Sequence, residues 1–200
     1  QELWTTDGTS EGTHAVTSFG FHAPFGSNYS TDQLIVAGDR AYFFATNGID
    51  GVELWVTTAS GSSASPLAEV CEESDCFADR WLRSIGTQVF FQDEDPEHGF
   101  EIWTTDGSAS GTHILDDSCP GSCGGFGNVL ATSAGRLVYS ASQGDGNPTT
   151  IFIAAAPWVD STSLFDPLRG APTLHYCEQG PALDSGALLY FTAVDSLGGA

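Results

Sequence analysis

The chain has 200 residues, of which 26 are acidic and five are basic, so its formal net charge at pH 7 is −21. A field this negative repels phosphate backbones and anionic lipid, which argues against nucleic-acid binding and membrane-surface docking. Hydrophobic residues (40%) suffice for a packed interior, yet no apolar stretch reaches the roughly 18 residues that a membrane-spanning helix needs.

A motif at the start of the chain recurs along it. Residues 2–16 read ELWTTDGTSEGTHAV and residues 101–115 read EIWTTDGSASGTHIL, with eroded copies at 53–67 and 150–164. The aromatic anchors of the four copies are 51, 48 and 49 residues apart; they are Trp4, Trp55, Trp103 and Phe152. A fixed period of about 50 residues, built from short β-type runs, indicates a propeller or a solenoid.

The elements of each repeat follow in a fixed order. A loop with cysteines or aromatic residues precedes a short apolar run such as residues 33–36, and a Gly turn leads to an aromatic strand such as 40–45. A polar turn, the ELW strand, the Asp-Gly turn and a last strand such as 13–16 complete the repeat. Short runs divided by Gly, Asn and Asp are typical of antiparallel strands, and no helical period is present.

We therefore predict an all-β fold, a single β-propeller domain over residues 1–200 with four blades of four strands each. The repeats span approximately residues 17–67, 68–115, 116–164, and 165–200 plus 1–16. Residues 189–200 resemble the first half of a hairpin whose expected continuation, an ELW strand, is found at residues 2–4. We expect residues 2–6 to pair beside residues 190–194, which closes the last blade. The alternative is a four-blade segment of a larger propeller.

The motif resembles the ELWxxDGT repeat family, which is known mainly from long secreted or surface-attached bacterial proteins. The resemblance is closest at residues 2–4, 7–9 and 12–13 and again at 101–103, 106–108 and 111–112. It implies a repeat scaffold outside the cytoplasm and supplies no catalytic residues. Because the chain lacks Met and starts and stops within a repeat, we expect it to be a processed or excised part of a longer protein.

Four of the five cysteines form two local pairs in the same loop of successive repeats. Cys71 and Cys76 form the first pair, Cys119 and Cys123 form the second, and Cys177 stands alone. Repeated local pairs favour two small loop-closing disulfides and hence an oxidising compartment. A zinc site made of four thiolates and free buried thiols are the alternatives. Cys177 is either a buried thiol or bonded outside this chain.

The three tryptophans of the motif have a structural interpretation. Trp4, Trp55 and Trp103 are predicted to pack between neighbouring blades, since each can bury roughly 200 Å² there. The alternative is an exposed aromatic platform that binds a sugar.

The Asp-Gly pairs Asp7-Gly8 and Asp106-Gly107 are predicted to form tight turns, in which Asp caps backbone N–H groups and Gly takes a positive φ. A metal-ligand role for the two aspartates is the alternative. His14 and His113 occupy equivalent positions of their repeats, so they lie in different blades, and we interpret them as structural.

The densest acidic cluster supplies the candidate calcium site. Asp93, Asp95 and Glu97 offer the carboxylate oxygens that calcium prefers, although the EF-hand pattern is absent. The alternative is a solvated acidic surface. No other cofactor is predicted.

The chain carries no nucleophile elbow, no zinc-protease helix and no phosphate-binding loop. We therefore predict a non-catalytic extracellular scaffold or adhesion module, secreted or at the cell surface, that presents loops to a protein or a glycan. One alternative is a secreted carbohydrate-active enzyme, a glycoside hydrolase or lyase with a carboxylate pair on the propeller face. Another is the subunit of a surface filament, joined through Cys177 or a strand edge.

Overall fold

The structure is a computed structural model that describes residues 2–18, 34–45, 52–68, 81–95, 97–117, 128–142, 149–158, 161–163, 174–176, 183–184, 189–190 and 194–195. Apart from a 3-10 turn at Ala109–Gly111, the elements of these residues are strands, which confirms the all-β prediction. The strands are β1 (Trp4–Thr5), β2 (His14–Ala15), β3 (Leu34–Ala37), β4 (Arg40–Ala45), β5 (Glu53–Thr57), β6 (Ala64–Ala68), β7 (Leu82–Ile85), β8 (Gln88–Asp95), β9 (Gly99–Thr105), β10 (His113–Asp116), β11 (Asn128–Ser133), β12 (Arg136–Ser142), β13 (Thr149–Ala155), β14 (Ser161–Ser163), β15 (Leu174–Tyr176), β16 (Leu183–Asp184), β17 (Leu189–Tyr190) and β18 (Val194–Asp195).

Two successive repeats each form a four-stranded sheet in chain order. The first is β3–β4–β5–β6 and the second is β7–β8–β9–β10. In the first sheet, Phe43 on β4 stands opposite both Leu34 on β3 and Trp55 on β5, in antiparallel register. The aromatic strand of the repeat is therefore an inner strand, paired on both edges, as the order of elements in the sequence predicts.

The third sheet departs from this pattern. β11, β12 and β13 pair antiparallel in chain order, and β14 pairs with β13 through Phe152 to Ala154. The start of β13 also pairs with β15, at Thr149 and Leu174, and β15 pairs with β18. The sheet thus has six strands because two partners share one edge of β13 at different positions along its length.

Two-residue turns fix the register of the first hairpin in each of these sheets. Gly86, at φ 61°, joins β7 to β8 so that Ile85 stands opposite Gln88. Gly135, at φ 73°, joins β11 to β12. These conformations cost glycine little, and a tight turn of this kind matches the twist of the strands that it connects.

The chain divides into two compact units. The first comprises Gln1–Pro96 and Thr104–His113, and the second comprises Glu97–Trp103 and Ile114–Ala200. In the first unit Leu3 and Ala64 pack against a buried cluster of Phe43, Ala45 and Trp55. On the other face of the β3–β6 sheet, the rings of Phe44 and Phe91 meet edge to face with centroids 6.5 Å apart.

The core of the second unit centres on Tyr139. Its ring stacks on Phe152 with centroids 5.4 Å apart, and its hydroxyl donates to Asp116 Oδ2 over 2.6 Å. Leu137 and Ile151 are buried on the same two strands. Phe152 occupies the position of the motif tryptophans in the copy at residues 150–164, and it packs against an aromatic residue of the neighbouring strand.

The predicted closure by residues 2–6 beside residues 190–194 is not seen among the described strands, where β1 pairs with β2 and β17 pairs with β16. Residues 191–193 lie outside the described part of the chain. No helix within the described ranges is long and apolar enough to cross a membrane.

Candidate functional site: the Asp-Gly turns

The first Asp-Gly turn is held by its own aspartate. Asp7 Oδ1 accepts hydrogen bonds from the Thr9 backbone N–H over 2.9 Å and from the Thr9 hydroxyl over 2.8 Å. Gly8 has φ 92°, a conformation that favours glycine. The predicted turn, with a capping Asp and a Gly at positive φ, is therefore present between β1 and β2.

The second turn, between β9 and β10, repeats this geometry. Asp106 Oδ1 accepts from the Ser108 N–H over 2.9 Å and from the Ser108 hydroxyl over 2.6 Å, and Gly107 has φ 88°. The Ser108 hydroxyl also accepts from Gly111 N over 3.1 Å and so caps the 3-10 turn at Ala109–Gly111. The two complete copies of the motif have the same spacing of Asp, Gly and Thr or Ser, and they form the same turn.

The motif contains a second glycine, and the structure gives a reason for it that was not predicted from the sequence. A Cβ atom at Gly12 would collide with the Asp7 carboxylate, and one at Gly111 would collide with the Asp106 carboxylate. Both glycines leave room for a carboxylate that folds back over the turn. The signal was in the sequence, because Gly follows Asp by five residues in both complete copies.

Two threonines close each turn at its base. The hydroxyls of Thr6 and Thr13 are 2.7 Å apart, and so are those of Thr105 and Thr112. Thr13 donates to Thr9 O over 2.6 Å, which ties the base of the first turn to its tip. These threonines were not predicted either, although the pairs recur with the same seven-residue separation.

The second repeat builds a different turn. Thr58 occupies the position of Asp7, and its hydroxyl accepts from Ser62 N over 3.2 Å. Gly61, at φ 66°, supplies the positive φ two positions later in this copy of the motif than Gly8 does in the copy at residues 2–16. This copy of the motif lacks Asp-Gly, and its turn uses a glycine at a later position instead.

Hydrogen bonds within the turns lower the pKa values of the two aspartates. The Thr9 N–H and then its hydroxyl lower the pKa of Asp7 from the ordinary value. The Ser108 hydroxyl and then its N–H lower the pKa of Asp106, with a smaller contribution from Arg40. Both carboxylates are therefore ionised at neutral pH, which suits capping and is the opposite of what a general acid requires.

The second turn is also fastened to the neighbouring sheet of the first unit. Arg40 on β4 donates from a terminal guanidinium nitrogen to Gly107 O over 2.9 Å. The Tyr42 hydroxyl lies so close to Gly107 that a Cβ there would collide with it, and burial raises the pKa of Tyr42. Nothing lies within 4 Å of the equivalent point at Gly8. Of the two turns, only the second has this glycine packed against another sheet.

The motif tryptophans occupy three different environments. Trp55 is buried, its Nε1 donates to Ala45 O over 3.0 Å, and its ring stacks on Phe43 with centroids 6.5 Å apart. Trp103 is half-buried. Trp4, however, is 62% exposed, so the expectation that it packs between blades is wrong for this structure. Among the described residues, no aromatic ring stacks on Trp4 as Phe43 stacks on Trp55.

The burial of the glutamate that opens the ELW motif was not predicted from the sequence. Glu53 and Glu101 are only 3% and 1% exposed, and the half-buried Glu2 accepts from the Thr17 hydroxyl over 2.7 Å. Its recurrence at residues 2, 53 and 101 was the signal available. The carboxylates of Glu53 on β5 and Glu101 on β9 are therefore part of the interior and are withdrawn from solvent.

The structure describes the remaining candidate residues only in part. Asp93 is fully buried, Glu97 is exposed, and the side chain of Asp95 lies outside the described atoms. His14 and His113 are exposed. Within the described ranges, no three His, Cys, Asp or Glu side chains are close enough to hold a metal ion. The cysteine predictions all fall outside the described residues, at Cys71, Cys76, Cys119, Cys123 and Cys177.

Comparison with known proteins gives no family: no protein-family model matches the chain, and no curated protein sequence is significantly similar to it.

Proposed function

We propose that this chain is a non-catalytic extracellular repeat scaffold or adhesion module that presents loops to a protein or a glycan. The observation that carries this proposal is that the repeated residues are used within their own turns. Asp7 and Asp106 accept hydrogen bonds from those turns, and Gly12 and Gly111 leave room for the two carboxylates. Because the repeated residues serve the fold, recognition falls to the segments that differ between repeats.

In this proposal the repeats are blades of a four-bladed β-propeller, and the N-terminal strands complete the last blade. The four-stranded sheets β3–β6 and β7–β10 support it, because two successive repeats each supply one sheet in chain order. The packing of Phe44 on Phe91 and the hydrogen bond from Arg40 to Gly107 also support it, since they join successive sheets face to face. A segment of a larger propeller is the alternative architecture.

The proposal also places the protein in a secreted or surface-attached setting, with disulfides Cys71–Cys76 and Cys119–Cys123. Each bond would close a short loop, so its contribution is local rigidity more than global stability. Peptide mapping without reduction tests the pairing. Cross-loop bonds, or four thiols open to alkylation, would contradict it.

The proposed function is tested with variants that change either the predicted loops or the Asp-Gly turns. The sequence predicts loops in residues 19–33 and 69–80, and these segments differ between repeats, so we replace each with a Gly/Ser segment of equal length. Binding of the purified chain to a glycan array and to intact cells is measured for each variant. We expect a loop replacement to abolish binding at an unchanged melting temperature, and Asp7→Asn to do the reverse. Release of reducing sugar ends that one carboxylate-to-amide substitution abolishes would support the carbohydrate-active enzyme instead.

Calcium at Asp93, Asp95 and Glu97 stays a prediction. A true site adds stability that saturates with calcium, whereas screening of the −21 charge depends only on ionic strength. The melting temperature in a few millimolar calcium is therefore compared with that in sodium chloride of equal ionic strength. Coincident melting temperatures would show that these residues hold no calcium ion.

A further inference from the structure

The two Asp-Gly turns share a chemical reactivity that follows from their sequence. Because glycine has no side chain, its backbone nitrogen can reach the carboxyl carbon Cγ of a preceding aspartate. A bond between that nitrogen and Cγ closes a succinimide ring, while the amide hydrogen and a carboxyl OH leave as water. Water then opens the ring. When the bond from the nitrogen to the α-carbonyl carbon breaks, the product is isoaspartate, and the reaction needs no oxidant, no reductant and no net change in mass.

The reacting atoms are held alike in both turns. In each turn the Gly N–H donates over 3.0 Å to the hydroxyl of the threonine two residues earlier. One carboxylate oxygen accepts two hydrogen bonds from the residue two positions after the aspartate, and these bonds lower both pKa values. The nitrogen must leave its acceptor before it can attack Cγ, so each turn has to open before the ring can close.

The surroundings of the two glycines differ. Gly107 is buried, the guanidinium of Arg40 donates to its carbonyl oxygen over 2.9 Å, and the Tyr42 hydroxyl lies against it. Gly8 is exposed, and no described atom lies within 4 Å of the point where its Cβ would stand. All of these residues belong to the first compact unit. Opening the second turn thus requires the loss of contacts to β4 that have no counterpart at Gly8 among the described residues of that unit.

We propose that Asp7 is a modification site of the folded protein, at which isoaspartate forms spontaneously, and that Arg40 and Tyr42 protect Asp106 from the same reaction. The rate in the folded protein is the rate of the open turn multiplied by the fraction of molecules in which the turn is open. A hydrogen bond from a charged donor must also break at the second turn, so the open fraction there should be lower by about tenfold or more.

Isoaspartate at position 7 changes the turn in which it forms. The main chain gains a methylene group there, and the carbon of the capping carboxylate becomes a main-chain atom. The side chain can then no longer accept hydrogen bonds from the Thr9 N–H and hydroxyl as it does in the unmodified turn. The turn between β1 and β2 therefore loses its cap. This modification is independent of the proposed function, because it involves contacts within the first unit alone.

The chain supplies a matched pair of peptides for the test. Chymotrypsin cleaves after aromatic residues and leucine, so it releases residues 5–19 and 104–115, each with a single Asp-Gly step. The folded protein is incubated at mildly acidic to neutral pH and digested at successive times. Isoaspartate in each peptide is quantified by chromatography and electron-transfer fragmentation. We expect isoaspartate to accumulate at Asp7 about tenfold faster than at Asp106.

The unfolded chain separates the effect of packing from that of sequence. The two steps lie in nearly identical sequences, TTDGTS and TTDGSA, so in denaturant Asp7 and Asp106 should react at the same rate. The other Asp-Gly steps, at residues 50–51 and 145–146, lie outside the described residues and outside both peptides.

Variants of the first unit test the protection of the second turn. Arg40→Ala removes the guanidinium donor and should raise the rate at Asp106 towards that at Asp7, and Tyr42→Phe should have a smaller effect in the same direction. The rate at Asp7 in the same sample reports any general loss of stability, since global unfolding accelerates both sites. Arg83→Ala is the matched control, because Arg83 donates to a carbonyl beside it on β7 and should leave the rate at Asp106 unchanged.

Equal rates at the two sites in the folded protein, or a faster rate at Asp106, would overturn the inference, and so would the absence of isoaspartate at Asp7. A difference that persists in the unfolded chain would assign it to sequence instead of packing. An unchanged rate at Asp106 in Arg40→Ala would show that Arg40 does not protect the second turn. Each of these outcomes leaves the proposed function standing, which the binding assays test separately.

Discussion

Gly111 offers a test, because its substitution by Ala should change stability in opposite directions with and without the Asp106 carboxylate. A Cβ atom at Gly111 would collide with the carboxylate of Asp106. Gly111→Ala should therefore displace that carboxylate from Ser108 and destabilise the protein. In an Asp106→Ala background the carboxylate is gone, and the same Gly111→Ala substitution should be stabilising.

The hydrogen bonds that Gly111→Ala would break determine how much stability is lost. Asp106 accepts two hydrogen bonds from Ser108, over 2.9 and 2.6 Å, and in this exposed turn they contribute about 1–2 kcal/mol together. Gly111→Ala should cost about that amount. Gly111 lies in the 3-10 turn, a conformation that Ala adopts readily. Once the collision is removed, the loss of unfolded-state freedom should contribute about 0.4–1 kcal/mol of stability.

The assay is a double-mutant cycle by chemical denaturation, with the wild type, both single variants and the double variant. We expect Asp106→Ala/Gly111→Ala to be more stable than Asp106→Ala alone. Asp7 and Gly12 supply a matched second cycle, which should give the same signs, since the same collision occurs there. Costs that simply add in both cycles would refute the reasoning, because they would show that the two residues do not meet.

Three further predictions address the contacts around the turns. Arg40→Ala removes the donor to Gly107 O and should lower stability by about 1 kcal/mol, measured by thermal melting. Trp55→Phe loses a buried hydrogen bond and should cost about 1–3 kcal/mol, whereas Trp4→Phe, at an exposed position, should be nearly neutral. Asp106 has a lowered pKa, so its contribution is present above the ordinary value of 3.8 and is lost as the pH falls below it. Acid titration of Asp106→Asn should show a shallower loss of stability, and an unchanged curve would contradict this.

The parts of the fold that depend on local sequence could be predicted from it. Strand order within a repeat follows from short apolar runs divided by turn residues, and the β3–β6 and β7–β10 sheets have that order. The capping role of Asp7 was predictable because the side chain reaches an N–H only two residues ahead. Contacts this short depend on little outside the motif, so the motif alone predicts them.

Contacts between distant residues could not be predicted in the same way. Arg40 and Gly107 are 67 residues apart, and nothing in either motif copy specifies that a turn of one sheet meets a strand of the previous one. The exposure of Trp4 was missed for a related reason. A tryptophan is buried only if a neighbouring strand supplies its cover, as β4 does for Trp55, and a repeat pattern records the tryptophan without recording that cover.

The charge of −21 overstates the number of carboxylates that are available to bind a cation. Asp7 and Asp106 each use one carboxylate oxygen for two hydrogen bonds within the turn. Glu53, Asp93 and Glu101 are buried in the sheets, where a carboxylate requires compensating hydrogen bonds or charges. The acidic residues thus include turn formers and interior groups as well as a solvated remainder. The number of acidic residues alone is therefore no argument for an ion site.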